Sequence, residues 1–236
     1  MKSARNSRAV PLTAITGRID DARGGNRSIA YKQIKEAILS GALRPLELIT
    51  EEHIAERLGL SRTPVREAFG LLAAEGFIVV VAKRGSFVAP LSIDDILEIY
   101  QIRMPLQCMT ARIAAETITD KDIAALERLV DTELAQEGRR SVQISLARSE
   151  EFHDIVNSCA RNQRLEALLK QLQSQIHRAR ALWPSTRSRL SETWREHGLF
   201  VTALKARDPD RAERLMREHL DRARETTLAQ MLRKAI

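Results

Sequence analysis

A chain of 236 residues with 44% apolar side chains can build one large domain or two ordinary ones around real hydrophobic cores. Its net charge of +7 suggests a polyanionic partner. No run approaches the roughly 18 uninterrupted apolar residues of a membrane span, and MKSARNSRAV lacks the apolar centre of a secretory signal, so no membrane association and a cytoplasmic location are expected. Cys108 and Cys159 sit in apolar helical contexts without CxxC spacing and read as reduced, buried thiols.

The charge is uneven along the chain. Residues 1–27 carry six basic against two acidic side chains, residues 28–90 eight against seven, and residues 91–236 carry 24 against 22. The first segment is rich in Ser, Arg, Gly and Asn and has little apolar periodicity. It reads as a disordered basic tail, either adding non-specific attraction to DNA phosphate or serving as an inert leader.

From Ser28 the pattern becomes helical. SIAYKQIKEAILSG sets Ile29, Ile34, Ala37 and Ile38 on one stripe, with Ser28 as N-cap and Gly41 as stop. An extended stretch at Pro45 leads to a second short helix from Thr50 to Gly59. In the next, Ser61 is the cap, Pro64 falls in the first turn, and Val65, Ala68, Phe69, Leu71 and Leu72 supply the buried face. FIVVVAKRGSFVAP then reads as a hairpin around Lys83, Arg84 and Gly85. Residues 28–90 are therefore expected to form a winged helix-turn-helix.

That geometry directs the start of the third helix into a major groove, so Ser61, Arg62, Thr63 and Arg66 become candidate DNA contacts. An arginine fork matches guanine O6 and N7, and threonine suits a phosphate or a thymine methyl. Lys83 and Arg84, on a turn held by Gly85, suit the backbone or the minor groove. The competing reading is a protein-docking module with merely solvated arginines. The run from Ile38 through SGALRP, LITEEHIAERLGLSRTPVREAFGLLAAEGF and KRGSFV resembles the DNA-binding domain of GntR-type transcriptional regulators, departing at Leu46, where many relatives have Gly. The resemblance implies a homodimer on an imperfect palindromic operator in double-stranded DNA, with Arg62 and Arg66 as main readers. Repression is the commoner mode in that family.

Residues 91–236 read as an antiparallel all-α bundle of about six helices, making the whole chain mainly α. The expected helices run from SIDD at Ser92 to about Thr117, with an interruption or bend at Pro105; from Thr119 to near Gly138; over Val142–Cys159 and Gln163–Trp183; over Arg189–Arg207; and from Asp208 onward. His153, His197 and His219 fall on three different helices and, if they project inward, can hold a zinc, nickel or manganese ion. Spacing alone favours satisfied or exposed histidines. His53 and His177 receive no role.

FHDIVNSCARN, Glu196-His197 and RDPDRAERLMREHL resemble the C-terminal ligand-binding domain, called FCD, of the FadR branch of the same family. The resemblance implies an effector-binding and dimerisation domain in which three histidines and an aspartate hold a metal beside a small-molecule effector, often a carboxylate. His153, His197 and His219 take the histidine positions. Ser149 stands at the aspartate position, which implies weaker metal binding or none, or a retained water. Relatives commonly read Arg-x-x-Leu-Glu where RMPLQ keeps Arg103 but places Gln107 at the acid. Arg103 is open between a clamp on an effector carboxylate and a structural ion-pair partner. A competing class is a metal-dependent hydrolase fused to a DNA-binding domain, for which the sequence offers no convincing general base: Glu150 and Glu151 adjoin His153 but fit a solvent-facing position equally well.

Overall fold

The computed structural model describes residues 25–137 and 139–234, in two compact units divided between Leu91 and Ser92. The proposed tail therefore lies outside the described residues up to position 24. At its end the first helix, α1 (Asn26–Leu39), starts two residues earlier than Ser28. Gly25 is the N-cap instead: its carbonyl accepts from the Ser28 and Ile29 amides at 2.7 and 3.3 Å, so Ser28 is already inside the first turn.

In the first unit α1 buries Ala30, Ile34, Ala37 and Ile38 against α3 (Arg62–Ala74). Before α3 come β1 (Leu48–Ile49) and α2 (Glu51–Leu58). The Thr50 hydroxyl caps α2 by accepting from the His53 amide at 3.2 Å, and Gly59 ends it in the left-handed region at φ +65°. Ser61 occupies the N-cap of α3 without a side-chain capping bond, so its hydroxyl is not committed there. Val65, Ala68, Phe69 and Leu72 are buried, whereas Leu71, expected with them, is 44% exposed because it falls one residue off the stripe.

The hairpin of β2 (Ile78–Val81) and β3 (Gly85–Val88) gains an unexpected third strand, β1, giving an antiparallel sheet of order β1-β3-β2. Leu48 pairs with Phe87 and Ile49 with Ser86. Gly85 has φ +111°, a backbone region that favours glycine at the tip of the wing, and a Cβ there would only displace the end of the exposed Leu48 side chain, 2.9 Å away.

The second unit begins with α4 (Ile93–Thr117), started by a reciprocal capping box between Ser92 and Asp95. It runs through Pro105 without the interruption that was one of the two expected outcomes there. Pro105 lies on the exposed side, where the Gln101 carbonyl deprived of its amide partner can be hydrated. After α4 come α5 (Asp120–Ala135), α6 (Val142–Cys159), α7 (Gln163–Leu182), α8 (Arg187–Lys205) and α9 (Pro209–Lys234). α4 packs most extensively on α9, α5 on α8, and α6 contacts α4, α5, α7 and α8. Ala111, Ala114, Leu126, Phe152, Trp194, Leu204 and Leu220 are central to the shared core. Both cysteines are buried and free, and burial pushes the Cys159 thiol up to about 11.

Leu46 carries a local strain that its surroundings do not repay. It adopts φ +66° with 68% of its surface exposed, and a left-handed L-residue costs roughly 1–2 kcal/mol. Replacing it by glycine loses little burial, and relief of strain outweighs the added chain entropy of glycine. Leu46→Gly should stabilise the first unit by about 0.5–1 kcal/mol, measured by urea unfolding followed by circular dichroism.

Candidate metal centre and nucleic-acid interface

Three neutral rings meet in the second unit. His153 on α6, His197 on α8 and His219 on α9 are 1%, 2% and 4% exposed, and one ligand atom from each lies within 4.8 Å of the others. Ring centroids are 5.2 Å apart for His153–His197, 5.3 Å for His153–His219 and 4.9 Å for His197–His219. Phe152 stacks on His197 at 4.0 Å, and Trp194 meets the same ring edge-on at 4.9 Å, anchored by its indole N–H donating to Ser145 Oγ at 2.8 Å. Aromatic packing thereby sets the His197 plane.

A different device orients His219. Its Nδ1 lies 2.8 Å from Glu196 Oε2. Glu196 also accepts two hydrogen bonds from Arg189, at 2.8 and 2.9 Å, and one from Arg222 at 3.0 Å. Burial alone would raise the Glu196 carboxyl, but hydrogen bonds from His219 and Arg189 outweigh it and hold it at about 2. At His219 burial wins over the Glu196 contact and lowers its pKa. A neutral His219 donating Nδ1–H to an ionised Glu196 satisfies both groups; the two arginines supply the countercharge. That tautomer leaves His219 Nε2 as the available donor atom.

His219 Nε2 and both ring nitrogens of His153 and His197 are buried without a hydrogen-bond partner, as is Ser149 Oγ. Ser149 sits one turn before His153 on α6 and lines a small cavity with Arg180, Arg189, Thr193, His219 and Thr226. The cavity holds about 20 Å³, room for one water-sized centre. Arg103 on α4 is 1% exposed, with its guanidinium 5.6 Å from the Tyr100 ring centroid. Among the described residues it has no salt bridge, which disfavours the structural ion-pair alternative; its charge acts on both His153 and His219. Neither carboxylate adjoining His153 in sequence is placed as a base for hydrolysis. Glu150 is paired with His177 Nδ1 at 2.8 Å, and Glu151 is exposed.

In the first unit Ser61, Arg62, Thr63 and Arg66 are all exposed on the opening turns of α3, and Lys83, Arg84 and Gly85 are exposed at the hairpin tip. Arg27 and Ser28 join Ser61, Thr63 and Glu67 around an open cleft of about 500 Å³. Glu51 is a participant that sequence reading missed. Arg66 Nε donates to both its carboxylate oxygens at 3.1 and 3.0 Å, Arg66 Nη2 lies 3.0 Å from Oε2, and Arg62 Nη2 is 3.8 Å away. Glu196, Arg180 and Arg189 were missed likewise. Glu196 adjoins His197 in sequence, but its bonds to α9 depend on how two helices pack.

A helix-turn-helix with a basic wing, followed by a helical unit with a polar, histidine-lined core, defines a DNA-binding regulator with a ligand-sensing domain. Residues 27–88 match the family described as bacterial regulatory proteins, gntR family, and residues 98–222 match the FCD domain. The chain is 34% identical over 164 residues to the Nta operon transcriptional regulator of Aminobacter aminovorans, covering 69% of this chain and 75% of that protein. It is 28% identical over 196 residues to the HTH-type transcriptional repressor RspR of Escherichia coli K12, covering 83% and 86%. The solved structure of Escherichia coli McbR/YncC shares the fold at a TM-score of 0.75 and 22% identity, covering 88% of this chain and 99% of that one.

The chain belongs to the GntR family of bacterial regulatory proteins, and its second unit is an FCD domain. It is a DNA-binding transcriptional regulator with an effector-binding domain, and the hydrolase alternative is not supported. No helix among the described residues is long and apolar enough to cross a membrane.

Burial pushes His153 and His197 well below their ordinary value of 6.5, so the fold keeps them neutral where the unfolded chain takes up protons. Stability is then fully present above 6.5 and lost as pH falls. Chelator-treated protein should lose about 1.4 kcal/mol for each of these two histidines per pH unit below that value. Urea midpoints at pH 7.5 and 5.5 check this; equal midpoints would mean that the folded rings protonate freely.

Proposed function

We propose that this regulator binds an imperfect palindromic operator as a homodimer, and that a small carboxylate effector acting beside a histidine-held divalent metal in the FCD domain modulates that binding. The convergence of His153, His197 and His219 carries the reading: buried imidazoles with uncommitted nitrogens form a neutral donor set. Such nitrogens suit zinc or nickel better than manganese, which prefers oxygen ligands. When bound, the ion supplies a Lewis-acidic centre for oxygen donors. Ser149 offers a hydroxyl beside it, and Arg103 offers a guanidinium to the effector carboxylate. Repression is the proposed outcome of operator binding, a mode that the RspR relative carries in its name.

In the DNA-binding unit Arg62 and Arg66 are the proposed base readers, Ser61 and Thr63 contact phosphate or a thymine methyl, and Lys83 and Arg84 track the backbone from the wing on the Gly85 turn. Two copies are needed because one such unit has few base contacts. Ile102 and Met109, exposed at 55% and 42% on α4, support a covered face in the homodimer. A cytoplasmic location follows from action on DNA.

Two measurements check these roles. Protein purified without a histidine tag and dialysed should retain near-stoichiometric zinc or nickel, and His219→Ala should lose it. Absence of metal from both, even after loading, would remove the metal from the reading. On an operator selected from random duplex DNA, Arg66→Ala should weaken binding by about 1–3 kcal/mol; unchanged affinity in both the Arg62→Ala and Arg66→Ala proteins would remove α3 as the reader.

A further inference from the structure

Two buried positive charges in the FCD domain have no negative partner. Arg103 is 1% and Arg180 9% exposed, and among the described residues neither forms a salt bridge. Both Nη atoms of Arg103 and Nη1 of Arg180 are buried without a hydrogen-bond partner. Each guanidinium acts on the other's surroundings: Arg180 lowers the pKa of Arg103, and both lower that of His153. Arg180 lines the same cavity as Ser149 and His219.

Neighbouring groups do not balance this charge. Arg189, also on the cavity wall, is already matched by Glu196 through two hydrogen bonds. Glu150 is the carboxylate whose field reaches Arg103, but its Oε1 is engaged with His177. The three histidines are neutral, and the polar side chains closest along the helices, Gln107 and Ser149, carry no charge. Arg180 lies in the last turn of α7, where the helix terminus contributes roughly half a negative charge. A buried ion left without a counterion is strongly unfavourable, so the missing charge has to arrive with the ligand.

We infer that the effector is a dianion, a dicarboxylate or a phosphate monoester, with Arg180 gripping one anionic oxygen pair and Arg103 the second anionic charge. This rests on the effector-site reading above and narrows it from carboxylates in general to doubly charged ligands. It also gives Arg180 a direct binding role. The cavity of about 20 Å³ is too small for such a molecule as it stands, so the ligand must part the side chains between α6, α7 and α9 on entry.

The test is titration of the full-length, zinc-loaded protein with malonate, succinate and glycerol 3-phosphate against acetate and propionate, at constant ionic strength, read by calorimetry and thermal shift. Dianions should bind at least about tenfold more tightly than the monoanions, the value of one further charge-assisted contact. Arg180→Gln and Arg103→Gln should each abolish that preference, and Ser149→Asp, which returns one negative charge to the cavity wall, should shift it toward monoanions. The Ser149→Asp comparison carries the test if either arginine variant fails to fold. Binding of malonate or succinate without glycerol 3-phosphate identifies a dicarboxylate, and the reverse a phosphate ester. Equal affinity for both charge classes overturns the dianion and leaves the effector site standing. No binding by any of the five overturns both.

Discussion

The organisation of the FCD core depends on one buried carboxylate. Glu196 receives both arms of Arg189 from the start of its own helix and Arg222 and His219 from α9. It therefore fixes the tautomer of one histidine and ties α8 to α9 at the level where the three rings meet. Removing such a carboxylate would leave the buried Arg189 with only the more distant, exposed Glu192 at 3.6 Å, a larger penalty than the loss of a surface ion pair. Phe152 and Trp194 complete the arrangement by packing rather than by charge, stacking on and edging against His197.

The two units use arginine in opposite ways. In the DNA-binding unit Arg62 and Arg66 remain solvated, with 60% and 67% of their side chains exposed, so their positive charge is available at little desolvation cost. In the FCD unit Arg103 and Arg180 are withdrawn from water, and burial lowers Arg103 to about 10. An exposed cation attracts any polyanion and is screened by salt; a buried one rejects every partner that does not match its charge. On the effector reading proposed above, the chain separates general attraction to DNA from selective recognition of a small anion.

Much of the fold was legible because the informative signals are local. Val142–Cys159 emerged with the predicted bounds, since its cap and apolar spacing lie within the segment. Thr50, Ser92 and Thr119 cap their helices through neighbouring amides, and Gly59 and Gly85 occupy backbone regions that disfavour other residues. β1 was missed because two residues have no periodicity, and its existence depends on pairing with β3. Pro105 left a break open as one outcome because its cost depends on whether the freed carbonyl faces water. The three histidines were legible as candidates from their places on separate helices and were favoured as a set only through the resemblance, while the contacts of Glu196, Arg180 and Glu51 arise between elements far apart in sequence.

The Glu51–Arg66 pair bears on how the protein searches DNA. In the base-reading role proposed for Arg66, a guanidinium already held along its Nε edge has less rotational freedom left to lose, so its ordering cost is met before encounter. The same carboxylate sits among the groups proposed to face DNA, where it would repel phosphate wherever the arginine finds no base to justify the approach. A negative charge at the reading surface weakens the hold on arbitrary sequence, and a weaker hold there shortens each unproductive stop.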